Sequence, residues 1–501
     1  SIDKFKKTFE LLIDRHEILR TVFAEDAEGD IRQYIKTVTE SGFAFHYRDM
    51  RESTSPQEEL PLLINKDHSL QFDLKAGPLL RASLYQTAKD HYVFSYVMHH
   101  IISDGWSMGL LMKELMQLYN SLEQEQANPL TPLRIQYKDY AAWQQEELKG
   151  ENLASHKSYW LEHLSGELPI LEMPTDKVRP LVKTYNGNLL HRTLDKQVSI
   201  ELQELCQLHG GTLFMGLLSA VKALLYRYTN QTDIVIGSPI AGRSHVDLED
   251  QIGFYVNTLA LRCHINGTGS FVDLFNQVKE ITLGAYEHQV YPFDELLEEL
   301  NVQRDMSRNA LFDVMVTLEN EEILNKKEQQ NFGELKISGY PGGESVISKF
   351  DLTFDFVEAK ESLMLNIEYN TDLYSSNTIE RLANHFEDLL LSILKYTQQP
   401  LEQLVFLNEK EKKILLEEFN GPIFNSSESL TVIELFEKQV GKTPDNIAIV
   451  FEDKEFTYKE LNSIVNQQAG YLKKNYHLKS DDLVGIKLER SEWMIISILA
   501  V

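Results

Sequence analysis

The stretch His91-Tyr-Val-Phe-Ser-Tyr-Val-Met-His-His-Ile-Ile-Ser-Asp-Gly-Trp-Ser-Met-Gly109 decides the fold class. Its first eight residues are rich in β-branched and aromatic side chains and predict a strand ending at Met98. From Met108 onward, Leu111, Leu115, Leu118 and Leu122 recur at helical spacing. They predict a helix to about Glu125, with Ser107 placed to cap it. Between strand and helix, His99 to Gly105 form a loop. Such loops present reactive side chains from a rigid frame.

Three chemistries compete for this loop. A metal site would use His99, His100 and Asp104, but neighbouring residues on an extended strand point to opposite faces. No His-Glu-x-x-His helix accompanies them. A serine hydrolase would use Gly105-Trp-Ser107-Met-Gly109, which fits the G-x-S-x-G elbow between a strand and a helix. Against it, the His-Gly-Gly run at His209-Gly-Gly-Thr212 follows the serine instead of preceding it. The elbow also leaves both histidines and Asp104 without a role. The third reading makes His100 the group that accepts or orients a proton near neutral pH. Asp104 then pairs with a buried arginine and fixes the loop. The plain structural alternative is a core histidine satisfied at a strand end.

Outward from the loop, helical and strand signals alternate. Residues 3–20 predict a helix, Thr212 to Tyr228 a long apolar one, and Asp233-Ile-Val-Ile-Gly237 a short strand. Pro169, Pro174 and Pro180 suggest a crossing between two lobes near residues 165–182. A charged helix over 408–418 leads into the linker Asn420-Gly-Pro-Ile-Phe-Asn-Ser-Ser427. A new domain begins near residue 430, with an amphipathic helix, the strand Ile447-Ala-Ile-Val-Phe451 and a further segment at Phe456-Thr-Tyr458.

Composition narrows the classes. The 501 residues carry 49 Lys+Arg against 76 Asp+Glu, a net charge of −27, with 43% hydrophobic residues. That balance suits a globular chain with ample core. It argues against nucleic acid and against a basic membrane surface, both of which need clustered cations. The apolar run from Trp493 to Val501 is far shorter than the ~20 residues of a membrane span and reads as a buried helix. Two cysteines, Cys206 and Cys263, point to a reducing compartment, the cytoplasm. The chain starts at Ser1 and stops inside that apolar run, so both ends read as cut.

His99-His-Ile-Ile-Ser-Asp-Gly105 resembles the HHxxxDG signature of condensation domains in nonribosomal peptide synthetases, a chloramphenicol-acetyltransferase-like family. Other segments resemble the family's motifs in the expected order. They are Arg15-His-Glu-Ile-Leu-Arg-Thr-Val-Phe23, Tyr137-Lys-Asp-Tyr-Ala-Ala-Trp143 and Ile252-Gly-Phe-Tyr-Val-Asn-Thr-Leu-Ala-Leu-Arg262. His288-Gln-Val-Tyr-Pro-Phe-Asp294 has Val290 where an acid is usual, and Arg304-Asp-Met-Ser-Arg-Asn-Ala310 has Ala310 where a proline is usual. The family's earliest motif, upstream of Arg15, is absent. Leu430-Thr-Val-Ile-Glu-Leu-Phe436, Thr443-Pro-Asp-Asn-Ile-Ala448 and Phe456-Thr-Tyr-Lys-Glu-Leu461 resemble the opening of an adenylation domain.

The resemblance implies an α/β fold of two acetyltransferase-like lobes in a V, with the active site in the cleft. The lobes would be residues 1–175 and 176–415. A linker over 416–429 and a partial α/β adenylation subdomain over 430–501 would follow. Substrates would arrive on phosphopantetheine arms of an upstream donor and a downstream acceptor carrier domain. The adenylation domain would be a further partner, and no cofactor or metal would be bound directly. The acceptor amine attacks the donor thioester, with His100 orienting the amine, taking its proton or stabilising the tetrahedral intermediate. Asp104 would pair with Arg243, or else with Arg262, and Gly105 would give the backbone latitude. Asn309 is a polar cleft candidate, Arg20 an anchor near the cleft, and Tyr137, Tyr140 and Trp143 read as packing residues. The double histidine differs from the DxxxxD of heterocyclisation relatives. Gly105 and the adenylation start favour condensation over epimerisation, and the loop's wording resembles domains that take L-configured donors.

Overall fold

The aromatic and β-branched run His91–Met98 is a strand, β5, paired antiparallel with Leu80–Ala88 (β4), which itself runs parallel to Phe45–Asp49 (β3). A separate hairpin joins Thr21–Glu25 (β1) to Ile31–Ile35 (β2). This computed structural model describes residues 1–302, 305–320, 335–340, 347–359, 362–420, 430–479 and 481–501. It divides into Ser1–Glu409 and Lys410–Val501.

In the first lobe two helices cover the three-stranded sheet, Ile2–Arg15 (α1) and Gly105–Glu123 (α3), while Pro56–Ser69 (α2) packs on β5. Phe5, Phe9 and Leu12 of α1 meet Leu111, Leu115 and Leu118 of α3 in one core. Phe5 sits edge-on to Phe9, Phe45, Phe94 and Tyr119, with centroids within 5.7 Å. Each such buried side chain contributes about 1.5–3 kcal/mol. The predicted helix over 3–20 stops early. His16 takes an extended conformation, and Glu17–Arg20 form a 3-10 turn. The break follows from His16 itself, whose ring turns into the core toward Glu114 of α3.

The second lobe is built on a six-stranded sheet in the order β6-β11-β10-β9-β7-β8. Its strands are Gly187–Leu194 (β6), Asp233–Ile240 (β7), Asn257–His264 (β8), Val314–Asn320 (β9), Leu352–Glu358 (β10) and Leu363–Asn370 (β11). β9 runs parallel to both β7 and β10, and the other pairings are antiparallel. The helices that follow α3 in the chain are Tyr137–Lys149 (α4), Ala154–His163 (α5), Lys196–Leu208 (α6), Leu213–Thr229 (α7), Phe271–Glu287 (α8), Phe293–Leu300 (α9) and Ser376–Lys395 (α10). Every residue of α7 from Met215 to Tyr226 is buried, as expected of a helix apolar on all sides.

Packing moves the division between the lobes. Trp160, Leu164 and Leu171 belong to the second core, upstream of the 175/176 division that the resemblance implies. The traffic also runs the other way, because Ile252 joins the first core. The prolines therefore follow a crossing already made by α5, whose Trp160 Nε1 donates to the carbonyl of His288 at 3.0 Å.

The charged helix read over 408–418 is shorter, Glu409–Lys413 (α11), and Ile414–Glu418 wind as a π turn. Residues 421–429 of the expected linker lie outside the described residues. In the second unit, Val432–Lys442 (α12), the hairpin of Ile447–Phe451 (β12) and Lys454–Thr457 (β13), Tyr458–Tyr476 (α13) and Glu492–Ala500 (α14) enclose a small core of Leu461, Val465 and Ile496. The terminal apolar run is a helix but only in part a buried one, since Trp493, Ile495 and Ile498 are exposed. No single helix among the described residues is long and apolar enough to cross a membrane.

Candidate active site at the strand-to-helix loop

The strand β5 delivers His99 and His100 with their side chains parted. His99 turns back on the loop. Its Nδ1 accepts from the Ile101 amide at 3.0 Å, and its ring meets Phe72 edge-on at 5.8 Å. Burial, and then the neighbouring His100, lower its pKa, which favours the neutral ring that this hydrogen bond needs. His100 is exposed, and its ring stands edge-on to Phe254 at 5.2 Å. The two imidazoles thus serve different surroundings, which speaks against a shared ion. The metal-like group among the described residues is the acidic turn Asp26, Glu28 and Asp30, away from this loop in sequence.

Asp104 is buried and fully engaged. Its Oδ1 accepts from the Ser107 amide at 2.8 Å and from Arg243 Nη2 at 3.1 Å. Its Oδ2 accepts from the Tyr255 amide at 3.0 Å. Arg243 Nη1 also donates to the carbonyls of Leu248 and of Gln251, the latter at 2.8 Å, and the guanidinium lies 4.1 Å over the Tyr255 ring. A buried ion pair is tolerable when most of its remaining hydrogen-bonding positions are filled in this way, and here Arg243 Nε alone of the guanidinium nitrogens has no partner among the described residues. Arg262, the other candidate partner, is committed elsewhere. It pairs with Asp233 at 2.7 Å and donates to the carbonyls of Ser165 and Glu167.

Two details correct the sequence reading, and a third closes its hydrolase alternative. Asp104, not Ser107, is the N-cap of α3, so the helix starts at Gly105. Ser107 is 0% exposed, with its hydroxyl 2.7 Å from Asp104 Oδ1, 2.9 Å from the Gly253 carbonyl and 3.0 Å from the Gly253 amide. A serine so enclosed is no nucleophile, and the elbow match is structural. Gly105 needs no special backbone, because its φ lies outside the left-handed region and an added Cβ would meet nothing within 4 Å.

The remaining candidates lie apart. Asn309 Oδ1 accepts from Lys183 Nζ at 2.5 Å and lines a separate cavity of about 360 Å³ with Asp233 and Arg308. Arg304, at the head of that motif, lies outside the described residues. Arg20 donates to the carbonyls of Ile13 at 3.2 Å and Lys36 at 2.6 Å, so it ties the end of α1 to the β1–β2 hairpin. No hydrogen bond from Asn309 or Arg20 reaches the histidine loop among the described residues.

Sequence reasoning missed a second buried charge cluster. His16 Nε2 lies 2.6 Å from Glu114 Oε2, Arg15 Nε lies 3.1 Å from Glu114 Oε1, and His16 Nδ1 accepts from the Ile252 amide at 3.4 Å. A glutamate on the apolar face of α3 was the available signal, since such a residue needs a partner. The segment 242–257 also meets the first lobe through Trp106 Nε1, which donates to Glu249 O at 2.9 Å, and Tyr137, whose hydroxyl donates to Phe254 O at 3.0 Å. One stretch of the second lobe therefore supplies the counter-ion for Asp104, the amide for His16 and the ring beside His100.

Two sheet-based lobes are bound through the loop's own carboxylate, with one histidine left exposed beside it. A family model described as "Condensation domain" matches residues 1–416, and one described as "AMP-binding enzyme" matches residues 436–501. The chain belongs to the condensation-domain family of nonribosomal peptide synthetases, whose domains catalyse amide-bond formation.

A linear gramicidin synthase of Brevibacillus parabrevis is 41% identical over 500 residues, covering 99% of this chain and 10% of that protein. A plipastatin synthase of Bacillus subtilis (strain 168) is 40% identical over 473 residues, 94% of this chain and 18% of that protein. The chain thus spans less than a fifth of either relative. In structure it is similar to a four-domain nonribosomal peptide synthetase bound to AMP and glycine. That match has a TM-score of 0.76 at 23% identity and covers 99% of this chain and 38% of that one. The first condensation domain of the calcium-dependent antibiotic synthetase matches with a TM-score of 0.61 at 17% identity, over 81% of this chain and 91% of that one. At these identities the structural likeness speaks for the fold.

Proposed function

We propose that this chain joins two carrier-bound substrates. The amine of a downstream aminoacyl thioester attacks the upstream acyl or peptidyl thioester, the carrier thiol leaves, and an amide forms. The phosphopantetheine arms belong to the partner carrier domains and enter as parts of the substrates, in the cytoplasm. The observation that carries this reading is the division of labour in the loop. His99 and Asp104 are both committed to fixed partners, and His100 is the exposed titratable group beside them.

An α-amino group titrates near ~7.7–8.0, so a useful fraction is neutral at cytoplasmic pH and no strong base is required. His100 then acts by orienting the amine, by taking its proton as the tetrahedral intermediate forms, or by stabilising that intermediate. Asp104 and Arg243 are positioning residues that hold the loop. L-configured donors are the preferred class, on the wording of the loop.

The test is dipeptidyl-thioester formation between loaded donor and acceptor carrier domains. His100→Ala is expected to lower the rate on the order of 10²–10⁴-fold, the range for a positioned proton-transfer group. Product from His100→Ala at the wild-type rate would exclude this role. Carrier binding without product from any donor–acceptor pair would favour a docking module instead.

A further inference from the structure

A cavity of about 420 Å³ lies between α4 and residues 242–257, with the start of α9 on its far side. Rings line much of it, beside the polar side chains of Gln144, Asn257 and Gln289. Tyr137, Tyr140 and Trp143 step along one face of α4 with centroids 6.0 and 5.8 Å apart, and Tyr255 lies 4.7 Å from Tyr140. α4 has no buried residue; Tyr137 packs against the first core, while Tyr140 and Trp143 continue the same face along the cavity. Val290 adds an aliphatic wall and is 37% exposed. Phe254 both lines this cavity and meets the His100 ring at 5.2 Å. One aromatic ring therefore separates the cavity from the histidine.

Charge limits what the cavity accepts. Glu147, Asp294 and His156 line it, and among the described residues no lysine or arginine does. A phosphate would face two carboxylates there and no ammonium or guanidinium group, and is disfavoured. The phosphopantetheine linkage is thus a poor occupant, whereas an apolar group gains from burial against these rings.

We propose that this cavity takes the side chain of an aminoacyl substrate, that it selects large apolar side chains, and that Val290 sets this preference. The proposal rests on the condensation reading and deepens it. The shared chemistry is one bulky, uncharged side chain; the donor and the acceptor are its two sources. Val290 stands at the motif position where an acid is usual, so the preference is a property of this chain's own wall.

The experiment uses the 501-residue chain and loaded carrier domains. In one arm the donor is alanyl or phenylalanyl with an alanyl acceptor; in the other the acceptor is varied against an alanyl donor. Wild type is expected to favour the phenylalanyl substrate in kcat/KM about tenfold or more in one arm, which identifies the source. Val290→Asp, which places a carboxylate in the wall, should lower that phenylalanyl-to-alanyl ratio about tenfold. Trp143→Ala, at a half-exposed position, should lower it in the same direction. A wild type without preference in either arm, or variants that keep the wild-type ratio, overturns the pocket while leaving condensation intact. Absence of product from wild type with every pair overturns the condensation reading itself.

Discussion

Two sites of buried charge, one in each lobe, are held in opposite ways. In the first, Asp104 and Glu114 are sealed in with arginine and histidine partners, and Arg243 and the Ile252 amide come from the other lobe. In the second, Lys222 is fully buried in α7 with carbonyl oxygens as its hydrogen-bond acceptors, Ile234 at 3.1 Å and Leu261 at 2.8 Å. The first arrangement ties the histidine loop to the opposite lobe, so the site takes shape only when the lobes meet. The second stays within one core.

The largest expected effect comes from breaking the first arrangement. Arg243→Ala leaves Asp104 buried and uncompensated, at a cost of about 3–5 kcal/mol, with loss of condensation. Urea unfolding measures the first and the carrier assay the second. If Arg243→Ala costs no more than a surface substitution, within about 0.5 kcal/mol, the cross-lobe tie is not what holds the loop.

Lys222 tests the other half through pH. Burial lowers its pKa from 10.5 to about 8. Between those values the unfolded chain binds more protons than the folded one, so stability rises with pH. From about pH 7.5 to about pH 9.5, wild type should gain about 2 kcal/mol relative to Lys222→Met. Parallel urea titrations at the two pH values would show it, and equal slopes for the two proteins would mean that Lys222 carries no such penalty.

The smallest effect is expected at Gly105, which adjoins the ion pair without depending on it. Its Cβ position is open, so Gly105→Ala should leave stability unchanged or raise it by about 0.4–1 kcal/mol. A thermal melt decides this, and a clear loss of stability would show a constraint that the backbone geometry does not.

Local pattern carried much of the structure. The strand at His91–Met98 and the helix at Leu213–Thr229 follow directly from the kinds of side chain in each run and its length. The end of α1 did not, because its apolar spacing continues through Ile18 and Leu19 while His16 turns inward to a glutamate almost a hundred residues away. The surroundings of Ser107 were hidden for a similar reason. G-x-S-x-G records spacing along the chain, whereas the fate of the hydroxyl depends on Gly253, which comes from the other lobe. The cavity beneath α4 was illegible altogether, since Tyr140 and Trp143 look like packing residues until the surface opposite them is known.

The sequence alone determined the alternation of elements, the ordered motifs of the family and the short list from which His100 and Asp104 were drawn. Periodicity and turn chemistry act between near neighbours, so one chain suffices to express them. Which carboxylate is silenced, which histidine is exposed and which aromatic rings bound a cavity were decided only in three dimensions. Those outcomes depend on burial and on partners 98 to 151 residues apart in the chain, which only the packed lobes bring within hydrogen-bonding distance.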